Sequence, residues 1–232
     1  MHPFRKEVFV FIVVLLGIGI LFFVYNRHAP PPAWSPQPTP KSEAIVTVKS
    51  VHEAGEYFIV NALYPKFGIA SVDARIEDAA MEEIALFKEA AKEYPPEIEG
   101  TPLYELAISF KVIQQSADLL SVELLISQYL GGAHGLTMVR GINVDPRTGK
   151  EFMLEDALGL IGLDLPEVSV RTIGQLKKVF GEDVIFEEGA APSPENYSTF
   201  IVDDKNVTFL FQQYQVAAYA AGLPEAIFPR VK

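Results

Sequence analysis

The spacing of apolar residues changes several times beyond residue 44, and each change predicts a different element. Apolar residues alternate with polar ones over much of residues 44–68, with a turn at residues 53–55, which predicts two strands. The spacing then becomes three and four residues over residues 72–94, which predicts one amphipathic helix. Ser71 is expected to cap this helix at its N-terminus.

A long hairpin is predicted next. Apolar residues alternate along residues 106–112 and again along residues 120–126, with "QQSAD" as the turn between the two arms. Each arm has one strongly apolar face, so the sheet is expected to pack on one side. Another strand follows at residues 138–144, and "DPRTG" ends it in a turn where Gly149 is expected to adopt the left-handed conformation.

The last third of the chain predicts a helix and two strands. A helical pattern runs from Leu165 to Phe180, with Gly181 ending it, and its apolar face comprises Val168, Thr172, Leu176 and Val179. The segments "STFIVDD" and "VTFLFQQYQV" predict the two late strands. This order, with short hairpin connections, predicts an α+β fold with antiparallel sheets and two main packed helices.

The N-terminal part of the chain predicts a membrane anchor. Residues 8–25 carry no charge, and a helix of this length spans ~27 Å, close to the ~30 Å apolar core of a bilayer. A cleavable signal peptide is the alternative, but the bulky, charged and proline-rich residues after it disfavour cleavage. We predict a single-pass protein of the cell membrane with residues 1–7 as a cytoplasmic tail and residues 26–42, which contain six prolines between residues 30 and 42, as an extended linker.

The extracytoplasmic part is then predicted to hold two α+β modules, residues 43–100 and residues 101–232. Residues 1–40 contain one acid and three bases, so the remaining 29 acids and 16 bases give the rest of the chain a net charge of −13. This charge disfavours nucleic acid as a partner and favours a basic one, although solubility alone is a sufficient reason for it. The chain has no cysteine, so the fold depends on its apolar core.

The segment "QYLGGAHG", residues 128–135, joins two predicted strands and contains three glycines around His134. His134 is one of only two histidines beyond residue 40, and no metal-binding or nucleophile motif accompanies it, so we predict no catalytic residue, no metal and no cofactor. Glycine supplies positive φ in a tight connection, which favours a backbone role for Gly131 and Gly132. A binding role for the loop remains an alternative, because recognition residues are often on loops of a rigid sheet.

Three segments carry a family resemblance. "YLGGAHG", "INVDPRTGKEFMLEDAL" and "VTFLFQQYQVAAYAAGLPEAIFP" closely resemble the extracytoplasmic domain of RsiV-type anti-sigma factors, and "FIVNALYPKFG" resembles the module that precedes it there. The resemblance covers roughly residues 56–230, and the same modules are similar to the N-terminal region of membrane-anchored peptidoglycan deacetylases. It implies a receptor that binds lysozyme outside the cell. The two glycine- and tyrosine-rich segments supply the candidate binding residues Tyr129, Gly131, Gly132, His134, Tyr214 and Tyr219.

The resemblance does not extend to the signalling or catalytic parts. Only seven residues precede the predicted span, and the sequence ends at Lys232, so we expect neither sigma-factor binding nor deacetylation. A binding or sensor-like module that is not an enzyme is the favoured hypothesis, with a cell-wall component such as peptidoglycan or a basic protein such as lysozyme as its ligand. The alternatives are a cell-wall hydrolase that uses carboxylates and a structural envelope protein.

Overall fold

The computed structural model describes residues 46–93, Pro95 and residues 104–231. They form a mixed α+β structure with two sheets. The elements, in chain order, are β1 (Thr47–Ala54), β2 (Phe58–Lys66), α1 (Ala70–Glu93), β3 (Tyr104–Gln115), β4 (Leu120–Tyr129), β5 (Leu136–Val144), α2 (Leu154–Ile161), α3 (Leu165–Phe180), β6 (Phe200–Val202), β7 (Asn206–Leu210) and β8 (Glu225–Pro229).

The first sheet has five strands in the order β1-β2-β3-β4-β5. All neighbouring pairs are antiparallel except β2 and β3, which are parallel, so the prediction of purely antiparallel sheets is wrong for this pair. The reason is the connection, because α1 joins these strands and a parallel pair needs a crossover of this kind. The apolar face of α1 packs on one side of the sheet and forms the first core with Val60, Leu106, Leu124 and Ile142.

The second sheet has three antiparallel strands in the order β6-β7-β8. Its side chains form a second core with the helices α2 and α3, and four aromatic rings, Tyr197, Phe209, Phe211 and Phe228, are fully or almost fully buried there. Asp164 caps α3 by accepting a hydrogen bond from Glu167 N at 2.9 Å. The cap and the apolar spacing together explain why α3 has the bounds that its sequence predicts.

The two cores meet where β6 lies on the outer face of β4 and β5. Asn143 Nδ2 donates to Phe200 O at 2.8 Å, Ser121 Oγ donates to Asn143 Oδ1 at 2.7 Å, and Val202 N donates to Ser121 Oγ at 3.1 Å. Ser121 and Asn143 are buried, so these bonds satisfy polar groups that are closed to water. The first sheet also includes strands on both sides of residue 100, where the sequence analysis placed a module boundary.

Three local predictions fail for identifiable reasons. The helix α1 begins at Ala70, before Ser71, and the side chain of Asp73 accepts hydrogen bonds from Phe67 N and Gly68 N at 2.7 and 3.1 Å in the turn ahead of it. Val179 is 71% exposed because the buried face of α3 ends at Leu176. The strand predicted through "VTFLFQQYQV" stops at Leu210, and β8 was not predicted.

The predicted membrane span at residues 8–25 and the linker at residues 26–42 lie outside the described residues. Within the described part of the chain, no helix combines the length and the apolar character that crossing a bilayer requires.

A buried phenol links β2 to α1 and makes stability depend on pH. Tyr64 Oη donates to Glu77 Oε1 at 3.1 Å, and Lys66 Nζ donates to Glu77 Oε2 at 2.5 Å. The hydrogen bond from Lys66, followed by that from Tyr64, lowers the pKa of Glu77. Burial, followed by the hydrogen bond to Glu77, raises the pKa of Tyr64 from 10.0 to about 12.

We expect the Tyr64→Phe variant to lose less stability than the wild type at alkaline pH. The raised pKa means that the contribution of Tyr64 is fully present below pH 10.0 and is lost as the pH rises to about 12, since only the unfolded state ionises in this window. The difference is on the order of 2 kcal/mol. Urea unfolding below pH 10 and near pH 12 measures it. Equal losses in both proteins would show that Tyr64 does not hold its proton in the folded state.

Candidate binding site

The connection between β4 and β5 is a tight loop that two glycines make possible. Gly131 and Gly132 have φ values of 86° and 90°, a region that residues with a Cβ rarely adopt, so the predicted backbone role of these glycines is confirmed. Tyr129, the last residue of β4, folds its side chain back over the loop and donates from Oη to Gly132 O at 3.2 Å. The loop therefore has a defined shape that presents the exposed residue His134.

His134 lies against two tyrosines that are 80 and 85 positions later in the chain. The centroid of its ring is 4.1 Å from that of Tyr219, with an angle of 31° between the planes, and 6.4 Å from that of Tyr214. The two tyrosine rings are 5.7 Å apart. We call His134, Tyr214 and Tyr219 the histidine–tyrosine cluster.

Both ring nitrogens of His134 have partners within hydrogen-bond distance. Nδ1 lies 2.9 Å from Gly135 O, which is a carbonyl and can only accept, so Nδ1 carries the proton. Nε2 lies 3.3 Å from Tyr214 Oη, a hydroxyl that can donate to this nitrogen or accept from it. Both nitrogens are thus used to orient the ring within the cluster.

Glutamines hold the segment after β7 against the edge of β5. The side chain of Gln212 forms two hydrogen bonds with the backbone of Val139. Gln212 Nε2 donates to Val139 O at 2.7 Å, and Val139 N donates to Gln212 Oε1 at 2.9 Å. Gln213 Oε1 accepts from Thr137 N at 2.7 Å. A glutamine amide here takes the place of a neighbouring strand. These bonds place Tyr214, the next residue, beside the loop that carries His134.

Tyr214 is held in an unusual backbone conformation. Its φ is 68°, the only positive φ of a non-glycine residue in the described part of the chain, and 48% of its surface is exposed. A bulky residue in this region costs on the order of 1 kcal/mol or more, and such strain often occurs at functional positions. The backbone strain therefore occurs at a residue whose side chain is exposed and belongs to the cluster.

The cluster offers flat apolar faces and polar edges at the surface. Such a combination suits a ligand that carries both C–H and hydroxyl groups, because the rings contact the apolar parts while the tyrosine Oη atoms contact the polar ones. Among the described residues, no group of three or more His, Cys, Asp and Glu side chains is arranged to hold a metal ion.

The structure brings most of the predicted site residues together. His134, Tyr214 and Tyr219 form the cluster, while Tyr129 and the two glycines form the loop that supports it. Their role in binding stays a prediction. The sequence analysis missed Gln212 and Gln213, although a polar run that interrupts an apolar strand in "FLFQQYQV" is a signal for them.

We expect Gly132→Ala to lower the free energy of unfolding by about 1 kcal/mol, because its cost is backbone strain. A Cβ at this position would meet nothing within 4 Å, so no steric clash adds to the effect. His134→Ala removes only exposed contacts, and we expect it to cost less than Gly132→Ala. Urea unfolding of both variants measures the difference, and an unchanged midpoint for Gly132→Ala would contradict the backbone role.

Two family models match separate parts of the chain. Residues 51–137 match the model described as "Deacetylase PdaC", and residues 166–230 match the model described as "Protein of unknown function (DUF3298)". The first match includes the second half of β1, β2 to β4 and the glycine loop. The second includes nearly all of α3, the second sheet and both tyrosines of the cluster. The cluster is thus formed by residues from both matched regions.

The curated relatives are longer than the matched region. The chain is 25% identical over 213 residues to the peptidoglycan-N-acetylmuramic acid deacetylase PdaC of Bacillus subtilis, which covers 90% of this chain and 45% of that protein. It is 30% identical over 131 residues to the immunogenic protein MPT64 of Mycobacterium tuberculosis, covering 55% of this chain and 57% of that protein. The chain therefore spans about half the length of the curated relatives it matches.

Solved structures show the same fold. A DUF3298 family protein of Pseudomonas aeruginosa has a TM-score of 0.55 at 19% identity, and the match covers 80% of this chain and 91% of that one. A DUF3298 family member of Bacteroides fragilis has a TM-score of 0.52 at 17% identity, with the same coverage.

The chain thus carries a pair of domains, one similar to the PdaC model and one similar to DUF3298. This pair resembles the N-terminal module of PdaC, so the similarity to peptidoglycan deacetylases that the sequence indicated is confirmed.

Proposed function

We propose that this chain is a membrane-anchored, extracytoplasmic binding module whose ligand is a cell-wall glycan, and that the histidine–tyrosine cluster contacts this ligand. The named activity of the Bacillus relative concerns peptidoglycan, and the similarity extends over 90% of this chain. The anchor in this proposal is the uncharged stretch at residues 8–25.

The geometry of the cluster is the observation that carries the proposal. The rings of His134, which is exposed, and Tyr219, which is partly exposed, lie 4.1 Å apart at a tilt of 31°. Tyr214 is an exposed tyrosine beside them. The cluster is preorganised, because the loop glycines and the two glutamines fix the backbone on each side of it. Preorganised aromatic side chains lose little conformational entropy on binding, which favours affinity.

A basic protein such as lysozyme is the second candidate ligand, and the charge of the chain favours it. The part beyond residue 40 has a net charge of −13, so association with a cationic protein is accelerated by electrostatic steering. Steering is screened by salt, whereas ring stacking on an uncharged glycan is not. The two candidates therefore differ in their dependence on ionic strength.

Co-sedimentation of the full chain with insoluble peptidoglycan tests the proposal. We expect Tyr219→Ala and His134→Ala each to weaken binding by about 10- to 30-fold, as loss of a central aromatic contact does at other interfaces. Tyr57→Ala is the matched control, because Tyr57 is a partly exposed tyrosine in the β1–β2 turn, and it is expected to bind like the wild type. Wild-type affinity in both cluster variants would contradict the proposed site.

The hydrolase alternative makes a separate prediction. An enzyme that cleaves glycosidic bonds with a pair of carboxylates would release soluble fragments from peptidoglycan, whereas a binding module sediments with the polymer and releases none. Assaying the supernatant of the same co-sedimentation experiment distinguishes the two functions without further variants.

A further inference from the structure

Three of the four outer edges of the two sheets are covered by side chains that hydrogen-bond to the strand backbone. Gln212 and Gln213 bond to β5, and Asn143 and Ser121 bond to β6. On the edge of β8, Gln175 Nε2 donates to Ile227 O and Gln175 Oε1 accepts from Ile227 N, both at 3.0 Å. Free edges invite pairing with other chains, and these amide and hydroxyl groups occupy the positions that another strand would take.

The fourth edge, β1, has no such cover within the described residues. Thr47 and His52 of β1 form side-chain hydrogen bonds to β2 and not to the backbone of β1. Thr47 Oγ1 donates to Lys66 O, and His52 Nδ1 lies 2.8 Å from Asn61 Oδ1. The strand pairs with β2 in an uninterrupted register from Thr47 to Ala54, so it has no bulge, and it contains no proline. Of the devices that commonly protect an edge, β1 has only charged side chains, Lys49 and Glu53, and Glu53 Oε2 already accepts from Lys88 Nζ of α1 at 2.5 Å.

The sequence of β1 is complementary to itself when two copies run antiparallel. Lys49, Val51 and Glu53 point to the same side of the sheet, opposite Tyr64, Ala62 and Val60 of β2. With a two-fold axis at Val51, these three side chains lie on the same side of the joined sheet in both copies. The axis also places Lys49 of each copy opposite Glu53 of the other. Two opposite-charge pairs then form across the strands, and the protective charge of Lys49 is neutralised. An axis at Ser50 would instead place Lys49 opposite Val51.

We propose that β1 is the interface of a homodimer, in which two copies of β1 pair antiparallel about a two-fold axis at Val51 and join the five-stranded sheets into one sheet of ten strands. The axis is perpendicular to the sheet, so the two α1 helices lie on the same side. Each helix packs mainly over β2 and β3 and reaches β1 through the ion pair of Lys88 with Glu53 at 2.5 Å. In the dimer, Glu53 therefore faces Lys88 of its own chain as well as Lys49 of the other, and the backbone edge of β1 stays accessible. This interface is separate from the histidine–tyrosine cluster, which lies at the β5 edge.

A cysteine at the proposed axis tests the pairing directly. The chain has no cysteine of its own, so Val51→Cys in the full chain, purified in detergent, introduces a single thiol. Directly opposed strand residues are close enough for a disulfide, and we expect at least about fivefold more covalent dimer than for Ile227→Cys under the same oxidant. Ile227 is a matched control, because it is exposed on the β8 edge that Gln175 covers. Equal cross-linking in the two variants would overturn the proposal.

Charge reversal tests the register without introducing a thiol. In Lys49→Glu, two pairs of carboxylates face each other in the dimer. In Glu53→Lys two pairs of ammonium groups do, and this variant also loses the ion pair of Glu53 with Lys88 of its own chain. We expect each variant alone to dimerise about tenfold more weakly than the wild type, measured by light scattering in detergent. A mixture of the two variants restores both opposite-charge pairs and is expected to form the mixed dimer. Monomeric wild type, or variants that dimerise as well as the wild type, would overturn the proposal, and circular dichroism verifies that each variant is folded.

Discussion

The Gly141→Ala variant is expected to lose about 3–5 kcal/mol of unfolding free energy, enough to leave a large fraction of the protein unfolded at moderate temperature. A Cβ built on Gly141 would lie 1.9 Å from Phe200 O and 2.7 Å from Phe200 C. Both atoms belong to the backbone of β6, so no side-chain rotation relieves the clash. The variant therefore has to separate β6 from β5, which also breaks the contact between the two cores. The loss is measured by urea unfolding, followed by circular dichroism of the backbone.

Gly174→Ala is the matched control for this prediction. Gly174 lies inside α3, and a Cβ there would meet nothing within 4 Å. We expect this variant to gain about 0.5–1 kcal/mol, because alanine restricts the unfolded chain and favours the helix. A Gly141→Ala variant that is as stable as the wild type would show that β6 does not lie on β5 at this distance.

The features that the sequence predicted are those determined by neighbouring residues. The helix from Leu165 to Phe180 was predicted with the bounds that it has, because its apolar spacing and its terminal glycine are local signals. The arms of the β3–β4 hairpin pair as expected, with Ile108 opposite Ile126. Gly149 also has the predicted positive φ, 71°, since the turn after β5 requires it.

The features that the sequence did not predict depend on contacts between distant residues. The parallel pairing of β2 and β3 follows from where α1 packs, and β8 is a short strand whose periodicity is too brief to be distinctive. Gln175 bonds to a residue of β8 that is 52 positions later in the chain, and Gln212 bonds to a residue of β5 that is 73 positions earlier. A single sequence contains no signal for such a partner beyond the presence of an unexplained polar residue.

The candidate site shows the same division. The glycine loop was predictable from composition, but its contact with Tyr214 joins residues 80 positions apart. The two tyrosines were selected through the family resemblance of their segment, and the stacking of Tyr219 on His134 follows only from the fold. Neither the strained φ of Tyr214 nor the glutamines that hold it have a local signature that specifies this arrangement.

The Asn143→Ala variant is expected to have the second largest effect on stability, a loss of about 2–4 kcal/mol. Asn143 is 2% exposed, and its amide donates to Phe200 O and accepts from Ser121 Oγ. Alanine leaves both of these buried partners without one of their hydrogen bonds and also leaves a small cavity between the cores. The unfolding free energy from urea titration measures this loss.

Asn61→Ala is the matched control, because Asn61 also bonds to a side chain, His52 at 2.8 Å, but lies on the exposed face of β2. We expect it to change stability by no more than about 0.5 kcal/mol. A double-mutant cycle adds a second criterion. Since Ser121 and Asn143 share one network, Ser121→Ala should cost less in the Asn143→Ala background than in the wild type, by about 1 kcal/mol. Strict additivity would mean that the two side chains act independently, and the buried network would then not be what joins β6 to the five-stranded sheet.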